Sequence, residues 1–389
     1  MPRRLLSIAH SYVVRVNRRL ADELARAGRG RWEVHAVAPR RFVNSNDGRL
    51  IDFQPAGGEA CAIEQVPVRW PRSVHLFAYG GRMRELCRSG FDLVHGWEEP
   101  YVHAGWQIAR AVPAGVPFVF WTAQNLMKRY PPPFGFFERS PVRRAAGWLA
   151  CGTSIAQTML SRPGYPDRPH RVAPLGVDAG LFFASPAARA GTLGQLGWSE
   201  GGAPIVGYLG RFVPEKGLNV LMNALDALRT PWRALLVGNG PMLPTMQAWA
   251  ARHGDRVRIC TRVGHDDVPA YLNAMDLLAA PSQTTPRWRE QFGRMLIEAM
   301  ACGVAVIGSD SGEIPHVIAD AGIVVGENDL PGWTRAIGEL CENRSRRAAL
   351  AEAGRARVAA NYTWPVIAAR TLDFFDRLLD ESRAGARRT

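Results

Sequence analysis

The chain has 389 residues, of which 47% are hydrophobic and 21% are charged, and its formal net charge is +13. This length exceeds what one hydrophobic core usually serves, so we expect two domains of a soluble globular protein. The six cysteines are scattered without a Cys-x-x-Cys pair, which argues against a structural zinc site or a disulfide framework, and no apolar stretch approaches the ~18 residues of a membrane span.

The excess of positive charge predicts attraction to anions such as nucleotide phosphates, an anionic membrane surface or nucleic acid. Lys128 and Lys216 are the two lysines of the sequence, and every other basic residue is an arginine. A lysine kept in such an arginine-rich chain suggests a position that favours a compact ammonium over a planar guanidinium. Charge by itself does not choose among the three kinds of anion.

Short, nearly continuous apolar runs recur along the first half, each bounded by Gly, Pro or Asp. Such runs are typical of parallel strands buried on both faces. The predicted strands lie at residues 5–10, 34–39, 92–97, 117–121, 147–152 and 171–176. A helix is predicted over 17–28, and the N-terminal segment MPRRLLSIAHSY is interpreted as leading into the first strand, not as a secretion signal.

The second half has the same rhythm of strands and helices. Its predicted strands lie at residues 205–210, 234–240, 257–264, 276–282, 304–310 and 321–327, and its predicted helices at 218–229, 268–275 and 332–343. Strand–helix alternation in both halves predicts an α/β protein with two Rossmann-like, doubly wound parallel-sheet domains.

The predicted domains are residues 1–185 and 204–365. Residues 186–203 are rich in Ala, Gly and Ser without a sustained apolar period, so they are interpreted as a linker. A C-terminal helix within 366–389 is expected to cross back to the N-terminal domain. Because doubly wound sheets bind ligands at the carboxyl ends of their strands, we expect the domains to face a cleft and the residues directly after each strand to line it.

The segment GRFVPEKG follows the first strand of the second half and leads directly into a helix. Gly210 permits a tight turn, while Arg211 and Lys216 place two cations at a helix N-terminus, where free N–H groups already favour anions. The pattern predicts a diphosphate site. The alternative interpretation is an exposed turn with a surface pair between Glu215 and Lys216.

Two more loops follow strands of the second half. Gly238 and Gly240 permit close approach of backbone to a ligand. The loop that contains Arg262 and Val263 offers main-chain groups to the flat edge of a base. For both, an ordinary turn or strand–helix loop remains the alternative.

The stretch EQFGRMLIEAMACG carries one acid before a predicted helix and a second acid inside it. Glu290 lies outside the helix, so its carboxylate can approach a ligand. Glu298 lies about a turn and a half inside and can accept hydrogen bonds from a vicinal diol. The alternative for Glu298 is an ion pair with Arg294, four residues earlier, worth ~0.3–0.5 kcal/mol.

The second half resembles the retaining glycosyltransferases of family 4, which have the GT-B fold of two Rossmann-like domains facing a cleft. The resemblance rests on the seven-residue spacing of Glu290 and Glu298, on GRFVPEKG, on VGNGP and on GSDSGEIPHVI, in this order. The first half is similar to the family in rhythm, through FDLVHGWEEP and PLGVDAGLF.

The resemblance implies a role for each matching residue. Arg211 and Lys216 neutralise the donor diphosphate, Glu298 binds the nucleotide ribose, and Glu290 contacts the transferred sugar. The main-chain N–H groups that assist them belong to Phe292, Gly293 and Arg294. The implied donor is a UDP- or GDP-sugar, the implied catalytic residues are Glu290, Arg211 and Lys216, and the family requires no metal and no other cofactor.

The first half is expected to hold the acceptor. Aromatic rings, acids and amides that follow its strands suit carbohydrate, and the acceptor-side candidates are Tyr12, Trp97, Glu99, Gln124 and Asn125. For Trp97, simple packing in the core is the alternative. The chain departs from the family in three places. No glycine follows the first strand, where Arg15 and Arg18 are interpreted as substitutes, and Gln124 stands where the family often has a histidine. Leu175 stands where the family commonly has an asparagine before Gly-Val-Asp.

The resemblance to family 4 implies a retaining, metal-independent hexosyltransferase. Its acceptor is expected to be a hydroxyl of a cell-envelope or exopolysaccharide glycan or of a lipid-linked saccharide. We expect a cytoplasmic protein that associates peripherally with the inner face of the membrane and does not bind nucleic acid. The alternatives are a sugar-nucleotide epimerase of the same fold, a catalytically silent nucleotide-sugar-binding protein, and a nucleic-acid-binding protein suggested by the charge.

Overall fold

The computed structural model of the chain describes residues 1–44, 48–55 and 57–386. The chain divides into two units, one made of Met1–Pro174 with Trp364–Thr389 and the other of Leu175–Thr363.

These units differ from the predicted domains at each boundary. The first change of unit falls at residues 174 and 175, before the predicted linker at 186–203, and the second falls at residues 363 and 364. Of the predicted C-terminal segment 366–389, residues 387–389 lie outside the described residues.

The first unit contains eleven strands among its described residues. They are β1 (Arg3–Ile8), β2 (Trp32–Pro39), β3 (Arg41–Val43), β4 (Leu50–Asp52), β5 (Ala62–Val66), β6 (Val68–Arg69), β7 (Ala78–Tyr79), β8 (Leu93–Gly96), β9 (Phe118–Thr122), β10 (Gly147–Ala150) and β11 (His170–Val172). Seven of them form a parallel sheet in the order β11-β10-β9-β8-β1-β2-β5. The chain therefore runs outward from β1 to one edge and then returns to the other side of β1 at β8.

Six strands of this sheet coincide with predicted apolar runs, and β5 does not. β5 lies at the edge of the sheet and carries Glu64 and Gln65, so it has no continuous apolar run. An edge strand needs apolar residues on fewer positions because part of it faces solvent. The pairs β3–β4 and β6–β7 are short and antiparallel and were likewise not predicted.

The helices of the first unit include one from the end of the chain. They are α1 (Arg15–Ala27), α2 (Gly81–Cys87), α3 (His103–Ala111), α4 (Phe134–Arg144), α5 (Thr153–Leu160) and α14 (Trp364–Ala386). α14 packs on α1, and Asp376 of α14 accepts hydrogen bonds of 3.1 Å from Trp32 Nε1 and 3.1 Å from Arg31 Nη1. The C-terminal helix is thereby tied to the start of β2.

The second unit contains a six-stranded parallel sheet. Its strands are β12 (Ile205–Leu209), β13 (Arg233–Val237), β14 (Val257–Cys260), β15 (Leu277–Ala280), β16 (Ala305–Ser309) and β17 (Ile323–Val325). Their order is β14-β13-β12-β15-β16-β17, which is the doubly wound order with a reversal between β12 and β15. All six strands were predicted, since each central strand is buried along most of its length.

The helices of the second unit cover both faces of this sheet. They are α6 (Pro186–Leu196), α7 (Leu218–Ala227), α8 (Leu243–Ala251), α9 (Val268–Ala274), α10 (Arg294–Ala301), α11 (Ile314–Ile318), α12 (Leu330–Glu342) and α13 (Arg344–Asn361). The core on one face is closed by Trp333 of α12 and Leu225 of α7, which are buried together with β12 and β13.

The predicted linker at 186–203 contains α6, a helix that the sequence analysis did not predict. Ser185 Oγ caps α6 by accepting a hydrogen bond of 3.2 Å from the N–H of Ala188, and Gly197 ends it with φ of 70°. Within α6 only Thr192 and Leu193 are buried. So narrow a buried stripe leaves no helical period in the sequence, which is why the helix was missed.

Gly217 provides a test of how tightly the second unit is packed. Its φ is 69°, and a Cβ there would lie 1.8 Å from the carbonyl oxygen of Pro281. We predict that Gly217→Ala lowers the free energy of unfolding by about 1–3 kcal/mol beyond the backbone strain, since the overpacked loop has to shift. Gly201→Ala is the matched control, because Gly201 has a φ of 74° with no atom within 4 Å of its Cβ position. Urea denaturation followed by circular dichroism measures both, and equal losses in the two variants would contradict the contact.

Candidate active site

The reversal of strand order in the second unit makes the loops after β12 and β15 neighbours. The loop after β12 meets the loop after β15 where Gln283 N donates to Glu215 O at 2.8 Å. Gly217 fits against the carbonyl of Pro281 in the same contact, and no larger residue fits there. Topological switch points of this kind are where doubly wound sheets bind ligands.

Lys216 and Glu290 form an ion pair at this junction. Lys216 Nζ donates to Glu290 Oε2, and Ser282 Oγ donates to the same oxygen at 2.8 Å. The two side chains are largely buried, with 12% and 8% of their surface exposed. The ring of Trp288 lies beneath the ammonium, 5.1 Å from Nζ to the ring centroid. The structure thus brings together two of the three residues predicted to be catalytic.

The main chain around Glu290 is held from the other side. Glu313 N donates to Glu290 O at 3.1 Å, and a Cβ on Gly312 would lie 1.9 Å from that oxygen. Ser309 Oγ donates to the carbonyl of Ser282 at 2.6 Å. The end of β16 therefore fixes the segment that carries Glu290.

Arg211, the third predicted catalytic residue, is exposed and lies outside the buried ion pair of Lys216 and Glu290. Its carbonyl accepts a hydrogen bond of 2.7 Å from Tyr208 Oη, and its side chain is exposed. Within the part of the chain that the structure describes, its guanidinium takes part in no hydrogen bond or ion pair. It is available to an external anion.

Gly210, Gly238 and Gly240 lie where two loops touch each other. A Cβ on Gly238 would lie 1.8 Å from Gly210 O, and one on Gly240 would lie 2.5 Å from Phe212 O. The three φ angles lie between 148° and 155°. The structure shows a neighbouring loop against the Cβ positions of Gly238 and Gly240, so packing requires glycine at both positions, and close approach by a ligand stays a prediction.

Glu298 is a buried carboxyl without a partner. It is 6% exposed on α10, and among residues 1–44, 48–55 and 57–386 no hydrogen bond or ion pair reaches its carboxylate. Burial raises the pKa of Glu298 to about 7, although the charge of Arg294 acts in the opposite direction. The predicted Arg294–Glu298 ion pair is absent from the described residues, so the structural alternative for Glu298 is wrong.

The start of α10 meets the loop after β14. Phe292 is buried against Tyr362, with ring centroids 5.9 Å apart, and Gly293 has a φ of 81°. His265 has a pKa lowered first by burial and then by the charge of Arg294, which places that arginine beside the loop. The same loop contains Arg262, which is exposed, and Val263, which is half-buried. Phe292 can therefore offer a ligand its main chain but not its ring.

Tyr12 and Trp97 lie in the interior of the first unit. Their rings are 5.6 Å apart, and Trp97 also packs on Trp121 at 5.6 Å. Tyr12 Oη pairs with Ser7 Oγ at 2.7 Å, and burial raises the pKa of Tyr12. Core packing, the alternative considered for Trp97, accounts for both rings.

The remaining acceptor-side candidates follow β8 and β9. Glu99 accepts hydrogen bonds of 2.7 Å from Thr122 Oγ1 and 2.7 Å from Ala123 N, yet burial raises its pKa to about 7. Gln124 and Asn125 are both buried, and Gln124 Oε1 accepts a hydrogen bond of 3.0 Å from the main chain of Leu126. These groups form one polar cluster at the carboxyl ends of the two strands.

A second polar pair in this unit escaped the sequence analysis. Glu98 accepts hydrogen bonds from His10 N at 2.6 Å, from His10 Nδ1 at 2.5 Å and from Tyr79 Oη at 2.7 Å. Burial lowers the pKa of His10, but the charge of Glu98, its hydrogen bond to the ring and the charge of Glu99 together outweigh burial, so the pKa is raised. His10 and Glu98 follow β1 and β8, which flank the reversal of strand order. Applying the switch-point rule to the first half would have found them.

Arg18 does not replace the missing glycines of the first loop. It is buried, and it donates to Tyr12 O at 3.0 Å, to Gln54 O at 2.6 Å and to Glu59 Oε1 at 3.2 Å. These bonds brace the loops of the first unit and leave the guanidinium occupied. The expectation that Arg18 contacts a ligand is therefore wrong.

Among residues 1–44, 48–55 and 57–386, no cluster of three or more His, Cys, Asp or Glu side chains is arranged to hold a metal ion. In the same residues no helix has the length and apolar character needed to cross a membrane.

Comparison with known proteins assigns both halves of the chain to one family. The sequence model described as "Glycosyl transferases group 1" matches residues 198–357, and that described as "Glycosyltransferase Family 4" matches residues 13–181. The computed structure is similar to the sucrose-phosphate synthase of Thermosynechococcus elongatus, with a TM-score of 0.72 and 21% identity over 97% of this chain and 100% of that one. At this identity the likeness shows the fold.

Two curated relatives are more similar in sequence. A GDP-mannose-dependent alpha-(1-6)-phosphatidylinositol monomannoside mannosyltransferase of Mycolicibacterium smegmatis is 36% identical over 206 residues, which are 51% of this chain and 53% of the relative. The aligned part of the chain thus spans about half the length of that relative. A D-inositol 3-phosphate glycosyltransferase of Salinispora tropica is 34% identical over 347 residues, covering 80% of this chain and 70% of the relative. The chain therefore belongs to glycosyltransferase family 4 and has the GT-B fold.

Proposed function

We propose that the chain is a retaining glycosyltransferase that moves a hexosyl group from a nucleoside diphosphate sugar to a hydroxyl of a cell-envelope or exopolysaccharide glycan or of a lipid-linked saccharide. The proposal is carried by the buried Lys216–Glu290 pair at the switch point of the second unit. The name of the mycolicibacterial relative makes GDP-mannose the first donor to test, with UDP-sugars next.

The pair suits departure of a diphosphate from a sugar. As the bond between the anomeric carbon and the leaving oxygen breaks, negative charge grows on the diphosphate and positive charge on the sugar. Lys216 and Arg211 stabilise the negative charge on the diphosphate, and the Glu290 carboxylate stabilises the positive charge on the sugar. Lys216 then exchanges part of its contact with Glu290 for a phosphate oxygen.

Retention of configuration follows if the acceptor attacks from the face that the diphosphate leaves. The acceptor oxygen forms the new bond to the anomeric carbon, and its proton passes to the departing phosphate oxygen. No protein nucleophile and no metal ion takes part in this scheme. Glu298 holds the ribose at the other end of the donor, where a diol supplies the hydrogen bonds that this buried carboxylate lacks in the described structure.

The alternatives make different predictions in one assay. A protein that binds GDP-mannose but neither transfers nor hydrolyses the sugar is a silent binding protein. A protein that inverts a sugar centre without releasing nucleoside diphosphate is an epimerase. Release of GDP with transfer to a saccharide identifies the transferase.

Lys216→Ala tests the diphosphate assignment. We predict a loss of roughly 10–100-fold in affinity for GDP-mannose and for GDP, because a hydrogen bond to a charged group contributes about 1.5–3 kcal/mol. Isothermal titration calorimetry measures both ligands. Lys128→Ala is the matched control, since it removes the other lysine of the sequence. Unchanged affinity in Lys216→Ala would remove Lys216 from the donor site.

The raised pKa of Glu298 predicts a dependence of stability on pH. The folded chain holds this proton up to about pH 7, whereas the unfolded chain releases it near the ordinary pKa of a glutamate. Stability should therefore fall as the pH rises from about 4.5 through 7. Glu298→Gln should match the parent at pH 5 and exceed it at pH 8 by at most about 3 kcal/mol. Urea denaturation at the two pH values measures this difference.

The same pKa provides a test of the ribose contact. Diol hydrogen bonds stabilise the ionised carboxylate, so GDP binding at pH 6.5 should release a proton from the parent and none from Glu298→Gln. Calorimetry in two buffers with different ionisation enthalpies counts the proton. Equal proton counts in the two proteins would place Glu298 outside the donor site.

We also propose that the first unit touches an anionic membrane surface. Six of its large apolar side chains are exposed among the described residues, and four of these are Trp70, Leu76, Met127 and Phe136. The segments that carry them adjoin, since His75 contacts Phe134 with ring centroids 5.9 Å apart. Exposed apolar residues beside basic ones suit the interface of a bilayer that contains acidic lipids.

Vesicle sedimentation tests this surface. The parent should bind phosphatidylglycerol vesicles and not phosphatidylcholine vesicles, and the double variant Met127→Ser/Phe136→Ser should bind several-fold less. Phe183→Ser is the matched control, because Phe183 is an exposed aromatic of the second unit. Equal losses in the two variants would contradict a surface specific to the first unit.

A further inference from the structure

A second cavity lies in the second unit, away from the loops that carry Lys216 and Glu290. Its volume is about 530 Å³. Its walls include Ile205 and Arg233 at the beginnings of β12 and β13, and Asp276 and Val304 immediately before β15 and β16. These positions mark the amino ends of the strands, so we call it the amino-end cavity. The candidate donor site lies at the carboxyl ends, roughly 15 Å away along strands of this length.

The amino-end cavity carries more positive than negative charge. Four arginines and two acids line it, the acids being Glu200 and Asp276. Both acids are already paired with one of the arginines, Arg189, at 3.2 Å and 3.3 Å. The remaining positive charge is therefore not neutralised by the acids in the wall.

The other three arginines have no carboxylate partner in the described part of the chain. Arg233 donates to Ser199 O at 3.3 Å and stacks on Trp198, with its guanidinium carbon 5.4 Å from the ring centroid. Arg347 donates through Nη1 to main-chain carbonyls at the end of α12. Arg344 is exposed and makes no hydrogen bond or ion pair with the described residues. Taken together, the four arginines and two acids of the wall leave a net charge of +2 to attract an anion.

Two helices begin in the wall of the same cavity. α6 contributes Ser185 and Pro186, and α13 contributes Arg344 and Arg347 from its first turn. These helices have 11 and 18 residues, long enough for their dipoles to place partial positive charge at the N-termini. The partial charges of the two helix N-termini add to the positive electrostatic potential that the arginines create, but they do not replace it.

We propose that the amino-end cavity binds a phosphate-bearing small molecule. Arginine is the side chain best suited to phosphate, because its planar guanidinium donates two parallel hydrogen bonds. The volume falls within the range of small-molecule pockets, so the ligand can carry an organic group besides its phosphate. This site is separate from the candidate donor site and does not depend on the proposed function.

The test uses inorganic pyrophosphate as the probe and the full chain with Lys216→Ala as background, so that the donor site is weakened. Isothermal titration calorimetry at fixed ionic strength compares this protein with Arg344→Glu added and with Arg346→Glu added. Arg346 is the control: it lies in the same turn of α13, is exposed, does not line the cavity, and differs from Arg344 in an exposed ion pair with Glu339 at 3.8 Å. Both substitutions change the net charge equally, and both place an acid at a helix start, where it is tolerated.

We expect the background protein to bind pyrophosphate and Arg344→Glu to weaken that binding at least tenfold, with Arg346→Glu changing it less than threefold. Thermal denaturation verifies that the three proteins are equally folded. Equal weakening by the two substitutions would overturn the proposal, because it would mean a general effect of charge. Failure of the folded background protein to bind millimolar pyrophosphate would overturn it too.

Discussion

The reversal of strand order is the constraint on which both candidate sites depend. In each unit the chain adds strands outward from its first strand and then returns to that strand's other side. The loops that leave the two strands at the reversal diverge to opposite faces of the sheet, so their beginnings lie side by side at the carboxyl edge. In the second unit this brings Lys216 to Glu290, and in the first unit it brings His10 to Glu98.

The two buried acids of the second unit, Glu290 and Glu298, differ in their hydrogen-bond partners. Glu290 is held by an ammonium and a hydroxyl, so its charge is compensated inside the protein. Glu298 is equally buried without such partners, and its pKa rises to about 7. A buried carboxylate without hydrogen bonds costs free energy that a bound diol can offset. In the proposed function, one acid of each kind serves each end of the donor.

Glycines at this edge serve the packing of loop on loop. Gly217, Gly238 and Gly312 each have a neighbouring carbonyl oxygen within 2 Å of the position that a Cβ would take. This close approach of main chains lets the loops of the second unit pack against one another, and it holds Lys216 next to Glu290. The amino-end cavity lies at the opposite edge of the same sheet and is lined by four arginines.

The sequence by itself determined the fold class, because buried parallel strands require continuous apolar runs, and such runs occur in both halves of the sequence. It also predicted that Lys216 and Glu290 lie at one edge of the second sheet, since both follow its strands, and the structure brings these two side chains together. The donor-binding roles of Lys216, Glu290 and Glu298 stay predictions. Other features were decided only by the tertiary structure, because the pattern of apolar residues does not encode them. The edge strand β5 and the helix α6 carry too few apolar residues to be recognised. The burial of Arg18, the pairing of His10 with Glu98 and the charge left over around the amino-end cavity depend on contacts between residues distant in sequence. Such contacts are set by packing in three dimensions and leave no local period in the chain.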